Sequence, residues 1–83
     1  MTAYTATVTV RLKPGVLDPE AETTRTALER LEFELQDLRM ADRFEIDLAA
    51  DTPTEARERA EAMTERLLAN PTIHDHEVDV DER

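Results

Sequence analysis

The segment from Leu12 to Glu20 restricts the possible folds of this 83-residue chain most strongly, because it holds the only glycine and two of the four prolines. The Pro14-Gly15 pair predicts a turn, since proline presets one backbone angle and glycine tolerates a positive φ. Asp18 can cap a following helix, and Pro19 suits the first helical position, where the missing amide donor is not needed. The segment therefore predicts a strand, a tight turn and a helix in succession.

Hydrophobic periodicity predicts the elements on either side of this turn. Alternation predicts a first strand with its apolar face formed by Tyr4, Ala6, Val8, Val10 and Leu12. Helical spacing predicts an amphipathic helix, ending near Glu32 or Phe33, whose stripe contains Ala21, Thr24, Ala27, Leu28 and Leu31. We expect a second, weaker strand at residues 35–40. The short segment 41–43 then predicts a hairpin to a third strand, with Phe44, Ile46 and Leu48 on one face.

The second half of the chain repeats the helix-then-strand order. Thr52-Pro53-Thr54-Glu55 is typical of a capping box with proline at the first helical position. Helical spacing predicts an apolar stripe formed by Ala56, Ala60, Met63 and Leu67. Asn70-Pro71 ends this helix, because a residue before proline resists helical angles. A fourth strand follows, with His76, Val78 and Val80 on one face.

The predicted order βαββαβ indicates an α+β fold, a ferredoxin-like two-layer sandwich in a single domain spanning residues 1–83. We expect a four-stranded antiparallel sheet with both helices on its apolar face. The uncovered face is predicted to carry polar residues, namely Thr5, Thr7, Thr9, Glu45, Asp47, Glu77 and Asp79. A chain of this size buries only about 60% of its unfolded surface, which favours self-association.

Charge narrows the range of partners. Twenty acidic residues oppose nine arginines and one lysine, for a formal net charge of -10. Such a surface repels nucleic acid and anionic lipid, and no apolar run is long enough to span a membrane. We therefore expect a cytoplasmic protein with no nucleic-acid or membrane partner. Dense carboxylates with almost no lysine also favour the hypothesis of a high-salt cytoplasm, because salt screens their repulsion.

The residues offer little for catalysis or metal binding. His74 and His76 share a strand face, but Asp75 and Asp79 have the opposite parity, so the favoured interpretation places His76 at the edge of the core. Cysteine and serine are absent, and one glycine cannot build a phosphate-binding loop. We predict no catalytic, cofactor-binding or metal-binding residue. From these residues alone, the chain is a small acidic domain that binds a partner or itself.

Several segments together resemble the PurS family, the small subunit of phosphoribosylformylglycinamidine synthase in purine biosynthesis. The turn Leu12–Pro19 matches a Leu-Lys-Pro-Gly-Val-Leu-Asp-Pro-like motif of that family, and residues 35–39 are similar to its second strand. The segment 65–73 and the following residues 74–80 resemble its helix end and last strand. The resemblance covers almost the whole chain, so residues 1–83 form one PurS-like domain.

The resemblance implies a non-catalytic role within an ATP- and glutamine-dependent carbon–nitrogen ligase. The complex converts formylglycinamide ribonucleotide to formylglycinamidine ribonucleotide, and its large synthetase subunit uses the ATP and magnesium. The small subunit is expected to form a homodimer, to bridge the glutaminase and synthetase subunits, and to support ammonia transfer. A well-specified exposed loop on a rigid scaffold is a common contact site, so we predict partner contacts at Lys13, Pro14, Gly15, Val16, Leu17 and Asp18.

Two other interpretations stay open at this point. The first is a ligand-sensing regulatory module of the same fold, which binds an amino acid or a nucleotide at a dimer interface. The second is a small enzyme, which the lack of serine, cysteine and convergent histidines disfavours. Fold alone does not separate these classes.

Overall fold

The structure is a computed structural model that describes all residues from Met1 to Arg83. Its elements, in chain order, are β1 (Thr2–Leu12), α1 (Pro19–Arg30), β2 (Ala41–Ala50), α2 (Pro53–Met63), a π-helical turn (Thr64–Leu68) and β3 (His74–Glu82). The three strands form one antiparallel sheet in the order β2-β1-β3. The α+β class is confirmed. None of the helices has the length and hydropathy needed to cross a bilayer.

The parity predicted for the strands is confirmed. Val8, in the central strand, lies opposite Phe44 on one side and Val78 on the other. On this face Tyr4, Ala6, Val8 and Val10 are buried, and they form the centre of the core. The opposite face carries the predicted threonines between two rows of exposed acidic side chains. The hydrophobic core therefore lies on one side of the sheet only.

Helix α2 packs against all three strands. Small side chains let it approach closely, because Ala56 and Ala60 are completely buried. The next buried position is Thr64, whose hydroxyl donates to the Ala60 carbonyl at 2.8 Å. The prediction that Met63 and Leu67 continue the stripe is wrong, since both are exposed. The π-helical turn inserts an extra residue, and after it Leu68, rather than Leu67, packs on the core.

The prediction of a four-stranded sheet is wrong, because residues 35–40 form no strand and β2 begins directly at Ala41. The predicted hairpin at residues 41–43 is therefore also absent. Asp37 offers a physical reason: its carboxylate accepts the N–H of Leu38 at 2.9 Å, a local bond that competes with strand pairing.

The prediction that both helices cover the apolar face is also wrong, because α1 makes no comparable contact with the sheet. Ala21 is the only buried residue of α1, and Leu31 is 68% exposed. Residues 19–40, called the arm below, extend away from the sheet in a molecule of 52 × 27 × 16 Å. An apolar stripe on a helix indicates that this side of the helix will be buried, but it does not indicate which part of the protein, or which other copy, will pack against it.

The predicted helix starts are confirmed. Asp18 caps α1 by accepting the N–H of Ala21 at 3.1 Å, and Thr52 caps α2 by accepting the N–H of Glu55 at 3.1 Å. Glu55 reaches back to the amide of Asp51 rather than to that of Thr52. Helix α1 ends at Arg30, slightly before the predicted boundary.

The end of α1 shows how a helix terminates here without glycine. Glu32 adopts a positive φ of 70°, and its N–H donates to the Glu29 carbonyl at 3.0 Å. The N–H of Phe33 donates to the Leu28 carbonyl at 3.2 Å, which completes a Schellman motif. An ordinary side chain therefore takes the left-handed position that glycine usually fills.

Candidate partner-docking site

The turn between β1 and α1, residues 13–18, has the predicted shape and is called the docking turn below. The N–H of Val16 donates to the Lys13 carbonyl at 3.1 Å, which closes a tight turn. Gly15 has a φ of +86°, and a Cβ added there would meet no atom within 4 Å. The backbone angle, rather than lack of space, is therefore the reason for glycine.

Both ends of the docking turn are held by hydrogen bonds. At its start, the N–H of Lys13 donates to the Ile73 carbonyl at 2.8 Å, which extends the pairing of β1 with β3 by one residue. At its end, Asp18 caps α1. Between these points the apolar side chains face solvent, and Leu17 is 75% exposed. The turn thus presents a leucine on a fixed backbone.

A second turn, residues 70–73, lies against the docking turn through the bond to Ile73. The Asn70 carbonyl accepts the N–H groups of Ile73 and His74 at 3.0 and 2.8 Å, and the Asn70 side chain accepts the N–H of Thr72 at 3.0 Å. The Asn70 N–H donates to His74 Nδ1 at 2.8 Å. The fold therefore joins the two most distinctive segments of the sequence at one corner.

A groove of about 660 Å³ runs beside the docking turn. The arm forms its other wall, and the apolar residues among its lining include Val16, Leu17, Leu38 and Met40. Acidic and basic side chains alternate around these residues, among them Lys13, Arg39 and Asp37. Such a mixed, open surface can bind a polypeptide segment, and it places no nucleophile beside a base.

The histidines are engaged within the fold. His76 lies at the edge of the core, where its Nε2 atom is 2.7 Å from the Glu61 carboxylate on α2. His74 accepts the Asn70 amide, as described above. No three histidine, aspartate or glutamate side chains come together in an arrangement that suits a metal ion.

Sequence reasoning missed both the Glu61–His76 pair and the contact between the two turns. Each depends on the register of β3. The sequence offered one clue to this register. Val10 and His76 both lie on the predicted apolar faces of their strands, and antiparallel pairing of β1 and β3 places them opposite each other.

Comparison with known proteins places this geometry in a family. The family model for PurS, phosphoribosylformylglycinamidine (FGAM) synthase, matches residues 5–82. This chain belongs to the PurS family. It is 42% identical over 82 residues to the FGAM synthase subunit PurS of Methanocaldococcus jannaschii, and the match covers 94% of this chain and 95% of that protein.

Solved PurS structures have the same fold. The crystal structure of M. jannaschii PurS superposes with a TM-score of 0.86 at 37% identity, covering 96% of this chain and 98% of that one. A chain in the structure of PurLQS from Thermotoga maritima matches with a TM-score of 0.86 at 26% identity over 100% of both chains. The suspected family is therefore confirmed. Of the interpretations left open by the sequence, that of an FGAM synthase subunit is correct.

Proposed function

We propose that this chain is the non-catalytic PurS subunit that joins the glutaminase and synthetase subunits of FGAM synthase and supports ammonia transfer between them. The observation that carries the proposal is the match, over its whole length, to a chain of the T. maritima PurLQS structure. The site agrees with this role, because it offers a rigid docking turn and no reacting groups. A fixed bridge makes the passage of ammonia effectively intramolecular. The proposal places the chain in the cytoplasm with its partners.

The direct test measures glutamine-dependent FGAM formation by the two larger subunits, with and without this chain. We expect glutamine-dependent activity only when the chain is present. Activity with free ammonium should depend on it much less, because the synthetase then receives its nitrogen from solution. Equal glutamine-dependent rates in both mixtures would contradict the bridging role.

Within this role, the docking turn is the proposed contact with the larger subunits. Support comes from its fixed backbone, its exposed Val16 and Leu17, and the groove beside it. Replacing Val16 and Leu17 by Ser should abolish co-elution with the larger subunits while leaving the thermal melt nearly unchanged. The control is Leu67→Ser, which removes an even more exposed leucine from the π-helical turn. Equal loss of co-elution in both variants would contradict a specific role for the docking turn.

A homodimer is the proposed state of the subunit. The arm exposes Leu31, while Phe44, Ile46 and Leu48 on the apolar face of β2 are only half-buried. The apolar face of β2 is incompletely covered, and the apolar stripe of α1 makes little contact with its own sheet. The α1 helix of one copy can therefore lie on the sheet of another. Self-association also suits a domain of this size.

ATP and magnesium are proposed to act in the large subunit. The chain's single glycine cannot form a glycine-rich phosphate-binding loop, and the chain gathers no group of three carboxylate or histidine side chains for a metal ion. Titration calorimetry of the isolated chain with ATP and magnesium should give no binding heat. Saturable binding at micromolar nucleotide would overturn this assignment.

A further inference from the structure

Helix α2 carries two arginines that reach opposite edges of the sheet. Arg57 Nη1 donates to the Val78 carbonyl on β3 at 2.5 Å, and Arg59 Nη1 donates to the Ala49 carbonyl on β2 at 2.6 Å. Residues two apart on a helix point about 200° from each other. The helix contacts all three strands, and its two arginines extend to either side of it.

The register shows that both carbonyls belong to the free edges of the sheet. In an antiparallel ladder, successive residues direct their N–H and C=O groups to opposite sides. The bonds from Lys13 to Ile73 and from Arg83 to Ala3 direct the odd-numbered residues of β3 toward β1. Val78 therefore directs its carbonyl outward. The same alternation directs the odd-numbered residues of β2, including Ala49, away from β1.

Free edges are sites where another extended chain can add to a sheet. Neither β2 nor β3 contains proline, and both pair with β1 in unbroken register, so neither edge is interrupted by a proline or a bulge, although both carry charged side chains. Val78 is the middle residue of β3, which spans His74–Glu82. When the Arg57 guanidinium occupies the Val78 carbonyl, only two outward-facing residues on each side of Val78 remain free to pair with an added strand.

The two arginines differ in how much edge they occupy. Ala49 lies near the end of β2, so the outward-facing residues from Ala41 to Asp47 form an uninterrupted run. Arg59 is also held by an ion pair with Glu55 on its own helix. The bond from Arg57 is partly buried, and it divides its edge at the centre.

We propose that Arg57 guards the β3 edge against the addition of extended chains, with a smaller contribution from Arg59 at the end of β2. The guanidinium occupies an acceptor that an incoming strand needs. It also places a cation where a hydrophobic strand would have to pair. This protection of the β3 edge does not depend on catalysis or on the larger subunits.

The test replaces Arg57 by Met, which keeps most of the side-chain volume and removes the donors. Arg66→Met is the matched control, because it makes the same charge change at an exposed residue of the same helical segment. Val8→Ala is the stability control, since it removes core volume without opening an edge. Thioflavin T fluorescence and electron microscopy follow β-rich assembly, with urea adjusted so that all variants have the same unfolded fraction.

A hydrogen bond to a charged group changes an equilibrium tenfold or more, so we expect Arg57→Met to assemble about tenfold faster than both controls. Arg59→Met should show a smaller increase. If Arg57→Met fails to fold, Arg57→Lys against Arg66→Lys repeats the comparison, since lysine keeps the charge but loses the planar donor fork. Equal assembly rates for the Arg57 variant and its Arg66 control would overturn the proposal, as would equal rates for Arg57→Met and Val8→Ala.

Discussion

Helices α1 and α2 begin in the same way but reach different environments. Each has a polar cap, Asp18 or Thr52, followed by proline and an early glutamate. Helix α2 uses alanines to lie flat on its own sheet, whereas α1 carries Leu28, which is only half-buried, and is followed by Leu31, which faces solvent. Small residues therefore mark the helix whose partner lies within the chain. The larger apolar residues mark the helix that we propose is covered by a second copy.

The largest expected difference between the two helices comes from a buried charge. Ala60→Asp places a carboxylate in the core, where Ala60 has no exposed surface, and should lower the free energy of unfolding by roughly 3 kcal/mol or more. Ala27→Asp makes the same change on the exposed side of α1 and should cost the monomer less than about 1 kcal/mol. Urea unfolding at low protein concentration measures both. Similar losses would show that α1 is as buried as α2.

The proposed dimer gives the second prediction. Leu31→Asp should weaken self-association by about thirtyfold or more, because it puts a charge into the apolar patch that the second copy covers. The folded monomer should keep its stability, since Leu31 faces solvent in one copy. Analytical ultracentrifugation across a concentration series measures the dissociation constant, and Leu67→Asp is the control. An unchanged dissociation constant would remove the arm from the interface.

The effect of salt on stability distinguishes charge repulsion on the open face of the sheet from hydrophobic packing of the arm. The open sheet face has three ion pairs, Arg11–Glu77, Arg43–Glu45 and Arg83–Asp47, and Asp79 and Asp81 belong to none of them. We propose adaptation to a high-salt cytoplasm, and we expect molar KCl to raise the melting temperature by roughly 5–10 °C over dilute buffer. Calorimetry measures this shift.

The matched variants locate the effect of salt. Asp79→Asn removes an unpaired charge from the open face, so it should raise the melting temperature in dilute buffer and reduce the gain from KCl. Glu45→Gln removes the partner of Arg43, 3.1 Å away, and should give no such rise. A melting temperature that stays constant across the KCl series would contradict the proposed salt adaptation.

What the sequence predicted well is local. Alternation placed Val8 in the core, Pro14-Gly15 specified the docking turn, and two polar residues marked where the helices start. The arm was not predictable in the same way, because periodicity identifies Leu31 as apolar without identifying its cover. Residues 35–40 were mistaken for a strand because Leu38 and Met40 share a parity, while the side-chain bond of Asp37 to its neighbouring amide carries no periodic signal.

In the candidate site, too, the local features were predictable from the sequence and the long-range contacts were not. The exposed, rigid shape of residues 13–18 followed from proline, glycine and the cap at Asp18. Its contact with the turn at residues 70–73 did not, because that contact requires the pairing of β1 with β3 to continue one residue past the strands, from Lys13 to Ile73. Long-range register is set by the packed core as a whole. The sequence thus predicted the parts of the site without their assembly.

The two helix caps offer the finest comparison of the arm with the core, because the same bond is removed from each. Thr52→Ala should lower the global free energy of unfolding by about 1 kcal/mol, since α2 is part of the cooperative core. Asp18→Ala should have a similar local effect but leave global unfolding of the monomer nearly unchanged, because α1 contacts little else. Amide hydrogen exchange distinguishes these outcomes: Asp18→Ala should speed exchange in α1 alone, and Thr52→Ala should speed it throughout the sheet. If Asp18→Ala instead lowers the protection of β1 and β3, the arm folds together with the sheet, and the contrast between the two helices disappears.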